Sequence, residues 1–157
     1  MSDHALRDQL SQLLRWEEAH AGIDQVVDGV PADKWGTRAP GLPYTLWQLL
    51  EHLRLVQYDI LDFCRNPGYA QPRWPEDYWP RESIRPTAAA VARSLAAFRQ
   101  DREALAALAL DESVDLFARI PHGTGQTYLR ELLLVADHTS YHLGQMVAVR
   151  RGLGLWE

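Results

Sequence analysis

Four long stretches of this chain repeat apolar residues every three or four positions, and what separates them is rich in Pro, Gly and polar residues. From about Ser2 to Val30 the repeat is Leu6, Leu10, Leu13, Trp16, His20, Ile23, Val27 and Val30. A second stripe, Leu49, His52, Leu53, Val56, Ile60 and Phe63, starts after Thr45 and stops at Asn66, Pro67 and Gly68. The third runs from about Thr87 to Leu110 with Val91, Leu95, Phe98 and Leu105, and the fourth from about Thr127 to Gly152 with Leu134, Val135, His138, His142, Gln145 and Val149. A helix with one apolar face has to bury that face against another element, and here the only elements on offer are other helices. The expected fold is therefore all-α, a four-helix bundle of helices about 33 to 43 Å long.

Local signals place the ends. Thr45 and Gln48 have the spacing of a capping box, and Tyr44 with Leu49 that of a hydrophobic staple. At the far end Arg150 and Arg151 complement the helix dipole, and Gly152 can cap. Between helices two and three the segment NPGYAQPRWPEDYWPRESIRP has neither helical nor strand periodicity. A connection of that length is unusual in a compact domain and reads as a packed crossover or a lid, with aromatic residues plugging one end of the bundle as the simpler form. At about 3.3 Å per residue it can span a bundle, which lets two neighbouring helices run parallel. The preferred topology is up-down-down-up, with up-down-up-down as the alternative. The connection after helix three, DESVDLFARIPHGTG, has room for a short extended piece, and the whole of 1–157 reads as one domain.

Composition narrows the partners. The net charge is −5, and the sixteen Lys and Arg are scattered, so no basic patch invites nucleic acid or an anionic membrane surface. Charged residues or His interrupt every apolar run before it reaches membrane-spanning length. The start, MSDHALRDQLSQLL, lacks the features of a signal peptide, and a single cysteine, Cys64, fits a reducing compartment. A cytoplasmic location is expected.

The chemistry is carried by histidine. His138 and His142 stand one helical turn apart on an apolar face, so both imidazoles point into the bundle and can share one metal ion. Two buried imidazoles cost desolvation that a shared metal offsets; the competing reading is a pair of hydrogen-bonded core histidines. His52 interrupts the stripe of helix two in the same way, roughly 10 Å into its helix, while His138 lies roughly 16 Å into helix four. His20, on the first stripe, competes with His52 as a further ligand, or stands beside the pocket as an acid or base. His4 lies where the helix end frays, and His122 sits in the PHGTG connection, at most on a pocket rim. Cys64 is about 18 Å along the axis from His52 and about 120° around it, so the two cannot bind one ion on a continuous helix. The pocket itself would be shaped by the Trp- and Pro-rich connection and by Trp16.

TLWQLLEHL on helix two, followed by GQTYLRELLLVADHTSYHLGQMVAVRRGLGLW, resembles the DinB-like family of metal-dependent enzymes, also called the DinB/YfiT superfamily. The likeness covers nearly the whole chain, and its most specific part is H-x-x-x-H-x-G-Q, His138 to Gln145, joined to the single His of helix two. The resemblance implies an up-down-down-up bundle, a homodimer, and a divalent metal held by His52, His138 and His142. It further implies a small-molecule substrate and an S-transferase that uses a low-molecular-weight thiol.

In that reading the metal coordinates the thiol sulfur and lowers its pKa from about 8.5, so that thiolate is present at neutral pH. Gln145 would orient a ligand or bound water, and Glu51 or Asp137 would support the ligands from outside. Imidazole donors suit zinc and nickel, and iron as well. Two other readings stand beside it. One is a hydrolase with metal-bound water as nucleophile and His20 as proton shuttle, and the other is a dimeric bundle that binds metal or ligand without catalysis.

Overall fold

The computed structural model describes residues 3–15 and 19–157. Among the described residues it is all-helical: α1 (His4–Leu13), α2 (Ile23–Val27), α3 (Leu46–Arg65), α4 (Ala88–Leu110) and α5 (Tyr128–Gly152), with no strands. Two isolated bridges, Arg38 with Thr45 and Arg119 with Thr127, are the only extended pairings described.

The expected first helix, continuous from about Ser2 to Val30, is instead two helices. α1 closes with a tight turn in which Arg15 N donates to the Gln12 carbonyl at 2.9 Å. Gly22, with φ −80° and ψ 173°, is extended and opens α2. A glycine inside a helix costs about 1 kcal/mol relative to alanine, which favours a fresh start at Gly22 over a helix running through it, and His20 of the expected stripe is exposed. Trp16, expected on that stripe, lies outside the described residues.

The other starts follow from side chains that satisfy free backbone N–H groups. Thr45 Oγ1 accepts from Gln48 N at 3.1 Å, and Gln48 Oε1 accepts from Thr45 N at 3.1 Å, completing the capping box. Thr87 and Thr127 cap α4 and α5 by accepting from Ala90 N and Arg130 N. At the end of α5 the capping glycine is Gly154, not Gly152. Gly154 takes φ 71°, Leu155 N donates to Arg150 O at 2.8 Å and Gly154 N to Arg151 O at 3.0 Å, the paired bonds of a Schellman end. Gly152 serves close approach, since a Cβ there would meet Ala39 Cβ at 2.8 Å.

Two buried arginines finish other helices. Arg7 on α1 donates to the carbonyls of Ala109, Asp111 and Val114 at 3.2, 2.8 and 2.7 Å, covering the C-terminal end of α4. Arg150 on α5 donates to Gln25 and Val26 carbonyls at 3.2 and 2.8 Å, doing the same for α2. Both place a cation where the helix dipole and the unpaired carbonyls favour it.

Side-to-side order is set by polar bonds between helices. Early α3 meets early α4, with Ser94 Oγ donating to Glu51, and later residues meet later ones, with Gln57 Nε2 donating to Phe98 O at 2.7 Å and Arg65 Nη2 to Ala104 O at 2.8 Å. α3 meets α5 in the reverse order: Leu49 lies beside Gln145 and Val149, and Ile60 beside Glu131 and Leu134. Apolar packing falls into two groups. One joins Leu10, Leu61, Cys64, Leu105, Leu116 and Leu132, and the other joins Ile23, Leu46, Leu50, Leu53, Phe98 and Met146. His52 lies between Leu49 and Leu53 of the second group, so the polar site is set into an aliphatic wall. Among the described residues no helix is long and apolar enough to cross a membrane.

Candidate metal centre

α3 and α5 bring His52, His138 and His142 together, with one candidate donor atom from each lying within 4.8 Å of the others. His52 and His142 are buried and His138 is partly exposed, so the group has one side toward solvent. Ring centroids are 4.9 Å apart for His52 and His138, 4.7 Å for His52 and His142, and 4.4 Å for His138 and His142. It is the three-His group capable of holding a metal ion among the described residues.

The protein fixes which nitrogen is free on two of the three rings, those of His52 and His142. His52 Nδ1 lies 3.0 Å from the Tyr78 main-chain carbonyl. A carbonyl only accepts, so Nδ1 carries the hydrogen and the lone pair is on Nε2. That Nε2 is 3.1 Å from His138 Nε2, a separation that two nitrogens sharing one ion at about 2.0–2.1 Å each can adopt. His142 Nδ1 is 2.8 Å from Gln145 Oε1, which likewise leaves Nε2 as the donor atom. Histidine ligands held by an oxygen acceptor on the second nitrogen are the usual arrangement around protein-bound metals, and two of the three have it here.

Burial keeps these rings neutral. It pushes His52 down to about 4, outweighing the opposing bond to the Tyr78 carbonyl, with the neighbouring His142 adding to the depression. His138 is pushed down to about 3, by burial first and then by His142 and His52. His142 is also lowered by burial, against the opposing hydrogen bond that it donates to Gln145. A neutral imidazole, with one ring nitrogen unprotonated, is the form that binds a divalent ion. On donor type, spacing and tautomer the residues fit such an ion.

The crossover between α3 and α4 closes one side. Trp79 lies flat on His52, centroids 3.7 Å apart and planes 9° from parallel, and Tyr44 stacks on the far face of Trp79 at 4.4 Å. Trp74 meets His52 edge-on at 6.3 Å, and Tyr141 meets His142 at 4.9 Å. Trp74 and Tyr141 are 64% and 63% exposed, so aromatic surface flanks the group on the solvent side. A groove of about 530 Å³ lined by Tyr44, Gln48, Trp74, Pro75, Glu76 and Trp79 adjoins this wall.

The chain belongs to the DinB superfamily. Its family model matches residues 15–146, which include all three histidines of the group. Among curated proteins and solved structures, nothing matches the chain.

The remaining expected residues of this DinB-superfamily chain lie elsewhere. His20 is exposed in the bend before α2, its Nε2 3.2 Å from Ser140 Oγ, and the structure does not bring it into the three-His group. Gln145 is the exception, at the group itself, with its Oε1 accepting from His142 Nδ1. Glu51 faces Ser94 of α4; burial raises its pKa, but bonds from Arg54 of α3 and from Ser94 together outweigh it and lower the pKa, and Asp137 is exposed. His4 forms an exposed pair with Glu112, and His122 donates to the Phe63 carbonyl at 2.7 Å. Cys64 is buried in the core, 5% exposed. Tyr78, Trp79, Trp74 and Tyr141 carry no periodic signal that assigns them to the site; the unusual Trp, Tyr and Pro content of the crossover is the one sequence feature that marks the first three.

Proposed function

We propose that this DinB-superfamily chain is a divalent-metal-dependent S-transferase that joins a low-molecular-weight thiol to a small electrophile, with His52, His138 and His142 as the metal ligands. The observation that carries the reading is the convergence of three imidazoles, two of them held with the Nε2 lone pair directed at the group, on a site that is buried on one side and open at His138. Three protein ligands leave coordination room for an exogenous group, which is the pattern of a catalytic site. A bound ion supplies the Lewis acidity that lets a thiol ionise near neutral pH.

The chain's own residues do the rest. The Tyr78 carbonyl and Gln145 hold His52 and His142 in the donor tautomer. Trp79 covers His52 and keeps water from that face, while Trp74 and Tyr141 offer flat apolar surface to the organic part of a substrate. Zinc or nickel is the ion proposed, with iron as a further fit to imidazole donors. The hydrolytic alternative has His20 as proton shuttle; His20 bonds to Ser140 and stands outside the three-His group.

The proposal extends to the assembly. The early-to-early order of α3 against α4, and the reversed order of α3 against α5, support an up-down-down-up bundle, in which α1 and α2 together act as the first helix. One domain and a homodimer complete the reading. The test is a cobalt-substituted sample. Addition of a small thiol is expected to change the visible spectrum, and turnover of an electrophile is expected to require the thiol. Turnover that proceeds equally well without thiol would favour hydrolysis, and a spectrum indifferent to both thiol and azide would favour a closed, non-catalytic site.

A further inference from the structure

We infer that Asp59 is a positioning residue for the metal centre, acting through Tyr78 on the tautomer and orientation of His52; this rests on the reading of His52 as a ligand. Asp59 lies on α3, about two helical turns past His52. Its two carboxylate oxygens each accept a phenol, Oδ1 from Tyr69 Oη at 2.8 Å and Oδ2 from Tyr78 Oη at 2.8 Å. The two tyrosines stand near the beginning and in the middle of the crossover, so one side chain of α3 ties down both. No Arg or Lys pairs with Asp59 among the described residues. Its polar contacts are directed at the crossover.

The consequence runs from side chain to main chain. Tyr78 is buried, and its phenol is fixed by Asp59 while its own carbonyl accepts from His52 Nδ1 at 3.0 Å. A carbonyl in an irregular segment is held only as well as that segment is held. Above this point the segment is tied by Gln48 Nε2, which donates to Pro80 O at 3.3 Å, and below it by Asp59. The residue next along, Trp79, stacks on His52, so a shift of Tyr78 would move both the hydrogen-bond partner and the aromatic cover of the same ring. Asp59 thus sets the position of a metal ligand that it does not touch. A partner that holds a ligand's second nitrogen directly, as the Tyr78 carbonyl does, typically changes metal affinity by about 10- to 100-fold when lost, and Asp59 acts by holding that carbonyl in place.

The inference is tested on the full chain with two readouts, ¹⁵N chemical shifts of the His52 ring in metal-free protein and zinc affinity by competition with a chelator. Asp59→Ala and Tyr78→Phe are expected to let His52 populate the second tautomer and to lower zinc affinity about 10-fold or more. Tyr69→Phe, which keeps the bond between Tyr78 and Asp59, is expected to change both less. If Asp59→Ala does not fold by circular dichroism, Tyr78→Phe decides, because it retains the carboxylate and its bond to Tyr69. Retention of the His52 tautomer and of zinc affinity within about twofold in Tyr78→Phe and in folded Asp59→Ala would overturn it. If the parent protein takes up no zinc, the ligand reading fails on its own, and the tautomer comparison still decides whether Asp59 positions His52.

Discussion

The indole of Trp79 lies flat on the imidazole of His52, 3.7 Å between centroids and 9° from parallel, and Tyr44 backs it on the other side. The crossover therefore does more than link α3 to α4. It supplies both the cover of one histidine and, through the adjacent Tyr78, the acceptor that fixes its tautomer. Because the indole touches a proposed ligand, an open-shell ion such as Ni²⁺ or Co²⁺ is expected to quench tryptophan fluorescence on binding. Trp79→Phe should lose the larger share of that quench while still binding the ion; an undiminished quench in the variant would remove Trp79 from the site.

The metal-free protein should lose stability as the pH falls from neutral. His52 and His138 are held at about 4 and about 3 in the fold, against about 6.5 in an unfolded chain. Between those values the unfolded state binds more protons than the native state, so stability rises with pH across this window and levels off above about 6.5. Thermal midpoints of chelator-treated protein are expected to drop between pH 7.5 and pH 5, and the drop should shrink in a His52→Leu, His138→Leu double variant. The same slope in parent and variant would show that the histidines are not the source.

Cys64 should be inert in the native protein. Burial pushes its thiol up to about 12, with Glu131 adding to the effect, so almost no thiolate is present at pH 8. Alkylation by iodoacetamide is expected only with unfolding, at a rate that rises with denaturant. Rapid labelling in native buffer would contradict the buried position.

Thr45→Ala should destabilise the fold by about 1 kcal/mol, the usual effect of deleting an N-cap side chain. Thr45 is 1% exposed and both bonds of its box are formed. Urea unfolding checks it, and a variant as stable as the parent would mean that the box contributes nothing.

Helix ends governed by local chemistry were legible in the chain: Thr45 with Gln48, Thr87 and Thr127 each cap where the sequence places a start. The histidines were legible because each replaces an aliphatic residue in a regular stripe, and a stripe converts directly into a shared direction in space. The break before α2 was not, because Gly22 interrupts the backbone without disturbing the apolar period. Gly152 and Gly154 compete for the same role two residues apart, and the choice falls to packing, since Gly152 is needed where α5 passes Ala39. Asp59, Tyr78 and Trp79 escaped because their partners are set by how the crossover lies on α3, and an aperiodic segment gives no direction to its side chains.

The most direct measurement is metal content per chain in protein purified without a histidine tag, compared with His52→Ala and His138→Ala variants whose helical circular dichroism matches the parent. The expected result is one divalent ion per chain in the parent, with stoichiometric metal lost from both variants. A parent free of metal whose thermal stability ignores added zinc and nickel, or a His52→Ala protein that keeps its full complement, would contradict the three-histidine site.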